Sequence, residues 1–197
     1  ANDDSVATWE GAKAIIDCAV DTFGDLHGLV NNAGILRDRM LVSMSEEDFD
    51  SVINVHLKGT WLMMKHASAH WREKAKAGEE VRASIVNTSS TSGLHSNIGQ
   101  GNYGPAKSAI ATLSIIGARE LGRYGVRVNA IAPSARTRMT MSTPGLSERI
   151  AEPEDGSFDQ WDPANISPLI AWLCTENCQA TAQVYWVGGN EVARYLE

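Results

Sequence analysis

Four short apolar runs, Leu26–Val30, Val81–Asn87, Val126–Ala132 and Gln183–Val187, alternate with longer stretches whose apolar residues recur at helical spacing. Runs of that length suit buried strands, and the stretches between them suit amphipathic helices. Residues 8–23 place Ala12, Ile15, Ile16, Ala19, Val20 and Phe23 on one side, with Gly24 as a stop. Ser45 followed by Asp48 reads as an N-cap with an acidic first turn, opening a helix to about Lys76. A third helix is predicted over 102–122, ended by Gly122–Gly125, and a fourth from Asp162 or Pro163 to about Cys174. Strands that alternate with helices in this way pair in parallel through crossover helices. The expected fold is therefore an α/β, doubly wound parallel sheet of Rossmann type, in one domain. The polar excursion Pro133–Asp159 exceeds the usual loop length and is expected to be a lid, with Met139, Met141, Leu146, Ile150 and Phe158 facing substrate.

Composition removes several function classes. A formal charge of −7, with its basic residues dispersed, argues against a nucleic-acid surface. No apolar run is long enough to span a bilayer. The acidic, polar start Ala-Asn-Asp-Asp-Ser is unlike a secretory signal. Cys18, Cys174 and Cys178 are an odd count; Cys174 and Cys178 are read as buried thiols on one helix face rather than a disulfide. These features point to a reduced, cytoplasmic protein without a structural metal. His66 and His70 stand one helical turn apart but have no third ligand, so they are read as an exposed helix face. His95 is read as a loop residue, and the six tryptophans are too scattered to form a base-stacking strip.

The chemistry concentrates in SSTSGLHSNIGQGNYGPAK. Tyr103 and Lys107 lie one helical turn apart and project from one face. A free phenol, with a pKa of about 10, is a poor acid-base catalyst at neutral pH, and a neighbouring ammonium favours the phenolate. Ser90, arriving from a strand end, can donate a hydrogen bond to a substrate carbonyl. The three together suit proton transfer between a carbonyl and an alcohol.

Around this group stand Leu29-Val30-Asn31-Asn32-Ala33-Gly34, Asn54-Val55-His56-Leu57-Lys58-Gly59-Thr60 and Val126-Arg127-Val128-Asn129-Ala130-Ile131-Ala132-Pro133. In that order and at those separations they resemble the short-chain dehydrogenase/reductase family, along nearly the whole chain. The resemblance implies a catalytic set of Asn54, Ser90, Tyr103 and Lys107, with Tyr103 as general acid or base. It implies cofactor contacts from Asn2, Asn31, Ala33, Gly34, Tyr103, Lys107, Pro133 and Thr137, the cofactor being NAD, with NADP as the alternative. The spacing from Pro133 to Thr137 is one residue shorter than in many members.

No Gly-rich turn follows a first strand here, and the residue that chooses between NAD and NADP is missing with it. The resemblance therefore implies the C-terminal portion of a single NAD(P)-binding domain over residues 1–197. Stretches 31–40, 131–140 and 167–174 resemble the (3R)-hydroxyacyl-CoA dehydrogenase branch, which includes a domain of the peroxisomal multifunctional enzymes type 2 and actinobacterial single-domain relatives. The implied substrate is a 3-hydroxyacyl-CoA. The alternatives are a 17β-hydroxysteroid, a 3-oxoacyl carrier-protein substrate, or a non-catalytic module that keeps the fold for assembly. Arg37, Arg39, Arg136 and Arg138 are either CoA-phosphate ligands or paired surface arginines. Helices 46–76 and 102–122 carry apolar or small residues on more than one face, which predicts a homodimer or homotetramer.

Overall fold

The computed structural model describes residues 1–141 and 148–196. It begins with α1 (Trp9–Phe23), β1 (Gly28–Asn31), α2 (Glu46–Ile53), a π-helical turn (Asn54–Lys58), α3 (Gly59–Lys76) and β2 (Ala83–Thr88). It continues with α4 (Thr91–His95), α5 (Tyr103–Leu121), β3 (Val126–Ser134), α6 (Arg138–Met141), α7 (Ser167–Cys174), β4 (Val184–Gly188) and β5 (Glu191–Tyr195). One sheet runs β1-β2-β3-β4-β5, parallel from β1 to β4, with β5 antiparallel at the edge. The parallel core is the expected one. The antiparallel strand is an addition, made by a tight turn at Gly189 (φ 57°) that reverses the chain straight after β4.

Side chains along each inner strand point alternately to the two faces, and both faces are buried. Ile85 of β2 and Val128 of β3 pack with α1, α3 and α5 in one core cluster. Val86 of β2, Ile131 of β3 and Val187 of β4 pack with Leu169 and Leu173 of α7 in another. Helices thus cover both sides of the sheet, as the doubly wound reading expects.

Several boundaries follow from local chemistry. Thr8 caps α1 by accepting from the Gly11 N–H, and Gly24 closes it in the left-handed conformation. Ser45 accepts from the Asp48 N–H at 3.0 Å, as its spacing predicts. Two differences matter for the site. The helix expected from Ser45 to about Lys76 contains a π turn over 54–58, and His95, read as a loop residue, is the last residue of the short helix α4. A third concerns the cysteines. The Thr175 backbone is extended and ends α7, so Cys178 lies beyond the helix, buried in the second core cluster, and shares no helix face with Cys174. All three thiols are free.

Candidate active site

Ser90, Tyr103 and Lys107 come together through the packing of α4 on α5. Ser90 is the N-cap of α4, its Oγ accepting from the Ser92 N–H at 3.2 Å. Gly93 makes the approach possible: a Cβ there would lie 2.6 Å from the Ser108 nitrogen and 2.7 Å from the Lys107 carbonyl carbon. Ser89 ties the same turn down, donating from Oγ to the Lys107 carbonyl at 2.7 Å. Tyr103 is the first residue of α5, capped by Asn102, whose Oδ1 accepts from the Tyr103 N–H at 2.7 Å. Asn102 is fully buried and also donates to the carbonyls of Arg37 and Asp48, anchoring α5 to α2 and to the loop before it. The residue before Tyr103 is a strong N-cap type, so this anchor could have been found from sequence.

The electrostatics are set by burial. The Lys107 Nζ lies 5.5 Å from the centre of the Tyr103 ring and donates to the Thr88 carbonyl at 2.6 Å. Burial pushes the Lys107 amine down to about 7. Burial also raises the Tyr103 phenol above its ordinary value, the Asp38 carboxylate adds to this, and a hydrogen bond with Ser90 opposes it. The expected depression of the phenol by Lys107 is not seen in this state, because the ammonium is turned towards Thr88. Anything that places negative charge beside Lys107 would favour its charged form and bring that field to bear.

The chain also brings His56 into this group. His56 is 1% exposed; its ring stands edge-on to that of Tyr103, with centroids 5.1 Å apart and planes at 88°. Its Nε2 lies 3.0 Å from the Ile35 nitrogen and 2.8 Å from the Ile35 oxygen. Burial, with the Lys107 charge in second place, lowers this imidazole to about 4, so it is neutral at physiological pH. Asn54, the expected amide of the site, is exposed at the first position of the π turn, two residues earlier. The π turn changes the helical phase there, and sequence periodicity does not register such a change.

The turn after β1 is braced from behind. Asn31 donates to Asn87 at 2.8 Å, and Thr88 donates to Asn32 at 3.2 Å, so both asparagine side chains hold β1 to β2. Ala33 is exposed at the carboxyl end of β1, on the edge of the sheet where ligands of open α/β folds sit. Gly34 faces His56, and that contact explains the glycine: a Cβ would lie 2.4 Å from His56 Cε1. Pro133 lies near the end of β3, and Thr137 caps α6 in exchange with Thr140. Asn2 is exposed, and its side chain bonds with Asp4.

The four arginines divide. Arg136 pairs with Asp159, and Arg39 lies 3.8 Å from Asp48. Arg37 and Arg138 are exposed and make no ion pair among the described residues. Of the expected lid residues, Ile150 is buried, Met141 and Phe158 are exposed, Met139 is half-buried, and Leu146 lies outside the described residues. His70 bonds to Asp25 at 3.0 Å, and the His66 ring packs on Trp9. No group of metal-ligating side chains occurs among the described residues, and none of the described helices is long and apolar enough to cross a membrane.

Comparison with known proteins places this geometry in context. A family model described as enoyl-(acyl carrier protein) reductase matches residues 4–189. A hydroxyacyl-CoA dehydrogenase of Mycobacterium tuberculosis is 44% identical over 86% of this chain and 53% of its own length. The peroxisomal multifunctional enzyme type 2 of Mus musculus is 37% identical over 98% of this chain and 24% of its own. The crystal structure of a short chain dehydrogenase from Mycobacterium avium superposes with a TM-score of 0.88 at 50% identity, covering 98% of this chain and 63% of that one. The chain thus spans 53 to 63% of the length of these mycobacterial relatives.

Proposed function

Because the chain belongs to the short-chain dehydrogenase/reductase family, we propose that it carries the proton-transfer half of an enzyme that interconverts a secondary alcohol and a ketone with NAD(P). The observation that carries this reading is the half-buried Tyr103, brought beside Ser90 by the packing of α4 on α5, with the Lys107 Nζ 5.5 Å from the centre of its ring. A phenol in that setting can give a proton to a carbonyl oxygen in reduction and take it back in oxidation. Ser90 donates a second hydrogen bond to the same oxygen and fixes its direction.

The residues present fit a nicotinamide dinucleotide. Lys107 gives one hydrogen bond to Thr88, which leaves donor capacity for a ribose hydroxyl. Ala33, within the braced Asn31–Gly34 turn, Pro133 near the end of β3 and Thr137 just beyond it supply the neighbouring walls. When bound, the nicotinamide supplies or accepts the hydride. The chain's own work is to hold Tyr103 and Ser90 against one oxygen and to keep that oxygen out of bulk water.

For the substrate we favour a 3-hydroxyacyl-CoA, oxidised with NAD. The relative named as a hydroxyacyl-CoA dehydrogenase supports this choice, as does the match to a multifunctional enzyme of the peroxisome. Two of the four arginines near the site are free of ion pairs among the described residues and suit CoA phosphates. The protein acts in the cytoplasm as a homodimer or homotetramer in this reading. The test is a panel of 3-hydroxyacyl-CoAs beside 17β-hydroxysteroids, assayed with NAD and with NADP on the complete protein. Higher kcat/KM on the thioesters supports the reading; a clear preference for the steroid replaces the substrate and leaves the catalytic residues in place.

A further inference from the structure

Arg136 does not point to solvent as a phosphate ligand would. Its side chain is 18% exposed and forks onto Asp159, itself 17% exposed: Nη1 lies 3.1 Å from Oδ1, and Nη2 bonds Oδ2. The same Nη1 donates to the Ile150 carbonyl at 3.0 Å. Its backbone N–H donates to the Trp161 carbonyl at 2.7 Å. Asp159 is held in turn. Its Oδ1 accepts from the Trp161 N–H at 3.0 Å, and its carbonyl accepts from Asn165 Nδ2 at 2.9 Å. The point where the chain leaves β3 is therefore bonded, by main chain and side chain together, to the point where it returns towards α7.

Thr137 follows directly. Its N–H donates to Thr140 Oγ1 at 2.7 Å, its Oγ1 accepts from the Thr140 N–H at 3.2 Å, and Thr140 Oγ1 donates to the Ala135 carbonyl at 3.1 Å. Thr137 is thus fixed on its C-terminal side by a local exchange and on its N-terminal side by Arg136. Bidentate guanidinium–carboxylate pairs fix direction as well as distance, which a single lysine bond does not. Glu152, 3.9 Å from Nη2, adds a second, exposed carboxylate.

We propose that Arg136 and Asp159 are a positioning pair, a clasp that sets Thr137 against the end of β3 and so fixes the cofactor-side wall of the site. The consequence for catalysis rests on the dehydrogenase reading; the clasp itself does not. It touches no reacting atom and acts only through Thr137 and the chain around it. Asp159→Asn leaves a neutral acceptor and breaks the charge pairing, Arg136→Lys keeps the charge but loses the fork, and Arg136→Asp with Asp159→Arg restores an opposite pair.

Trypsin cleavage after the exposed Arg138 reads the clasp without any turnover. Asp159→Asn should raise that rate about tenfold or more, as expected when local opening becomes easier. The charge swap should return it towards wild type, and Arg136→Lys should fall between. In the complete enzyme, KM for the nicotinamide cofactor should rise about tenfold in Asp159→Asn while kcat stays within about twofold, the signature of lost binding rather than lost chemistry. Unchanged cleavage in Asp159→Asn, or kcat falling as far as kcat/KM, would overturn the proposal. A wild-type protein without NAD(P)-dependent turnover would overturn the reading of the site and with it Thr137's part, while the cleavage rates would still decide the clasp.

Discussion

Gly34 and His56 fit as a gap and the group that fills it: the imidazole Cε1 stands 2.4 Å from where a Cβ on Gly34 would be. The contact joins the turn after β1 to the ring that packs edge-on against Tyr103. A backbone feature of the sequence and a buried side chain two elements later are therefore one structural unit.

Gly34→Ala should destabilise the protein by about 1–3 kcal/mol, the usual cost of forcing a methyl into a packed site. Thermal melts check this. The same substitution combined with His56→Ala should recover part of the loss relative to His56→Ala alone, because the space is then open. A neutral Gly34→Ala would show that the ring moves aside at no cost.

His56 should make the fold sensitive to acid. Its folded value is lowered, to about 4 from an ordinary 6.5, mainly by burial. The stability tied to its neutral form is then complete above pH 6.5 and is lost as pH falls through 4. A shift of that size corresponds to something on the order of 3 kcal/mol. Denaturant titrations across pH 7 to 4 should show a flatter profile for His56→Gln than for wild type. Parallel profiles would mean that other groups carry the acid limb.

Tyr103→Phe in the complete protein should lower kcat by at least about a hundredfold, the lower range of general acid-base contributions. Cofactor affinity should stay nearly unchanged, because the ring remains against His56. Steady-state rates paired with cofactor titration by fluorescence separate the two effects.

Lys107→Met should weaken cofactor binding and raise the pH optimum of oxidation. Burial holds the Tyr103 phenol above its ordinary value and Ser90 alone opposes this in the free protein, so the further lowering needed for turnover has to come from Lys107 once bound negative charge favours its charged form. A pH–rate profile that does not move would remove Lys107 from the proton-transfer role.

Trp9, Phe49, Trp61 and Ile116, each more than 40% exposed, lie on α1, α2, α3 and α5. The Trp9 and Trp61 rings pack against each other with centroids 6.3 Å apart. Apolar surface on neighbouring helices is what a two-fold interface covers. Light scattering at micromolar concentration should give the mass of a dimer or tetramer, and a monomeric mass would sink this expectation.

Much of the molecule was legible because its signals are local. Ser45 as an N-cap and Gly24 as a stop each depend on a few neighbouring residues. The four parallel strands are read from short apolar runs because both their faces are covered. Tyr103 and Lys107 share a face by helical geometry alone. Asn102 is legible in the same way, as a cap directly before Tyr103.

Other features belong to no single element. The π turn at Asn54–Lys58 breaks the helical phase, and the burial of His56 beside Tyr103 depends on that phase. Arg136 looks like any surface arginine until Asp159, far along the chain, folds back onto it. The edge strand β5 has no apolar run of its own, since its residues are largely exposed and only pairing with β4 makes them a strand.

From the sequence alone came the layered fold, read from periodicity, the Tyr103 and Lys107 pair, read from helical spacing, and a resemblance to a dehydrogenase family, carried by its motifs. Tertiary structure alone decided that His56 packs edge-on against Tyr103, that Arg136 clasps Asp159, and that Lys107 is turned towards Thr88. The reason is physical: periodicity records which face a side chain lies on. Which partner it meets, and how far burial moves its proton, is settled only when distant elements close around it.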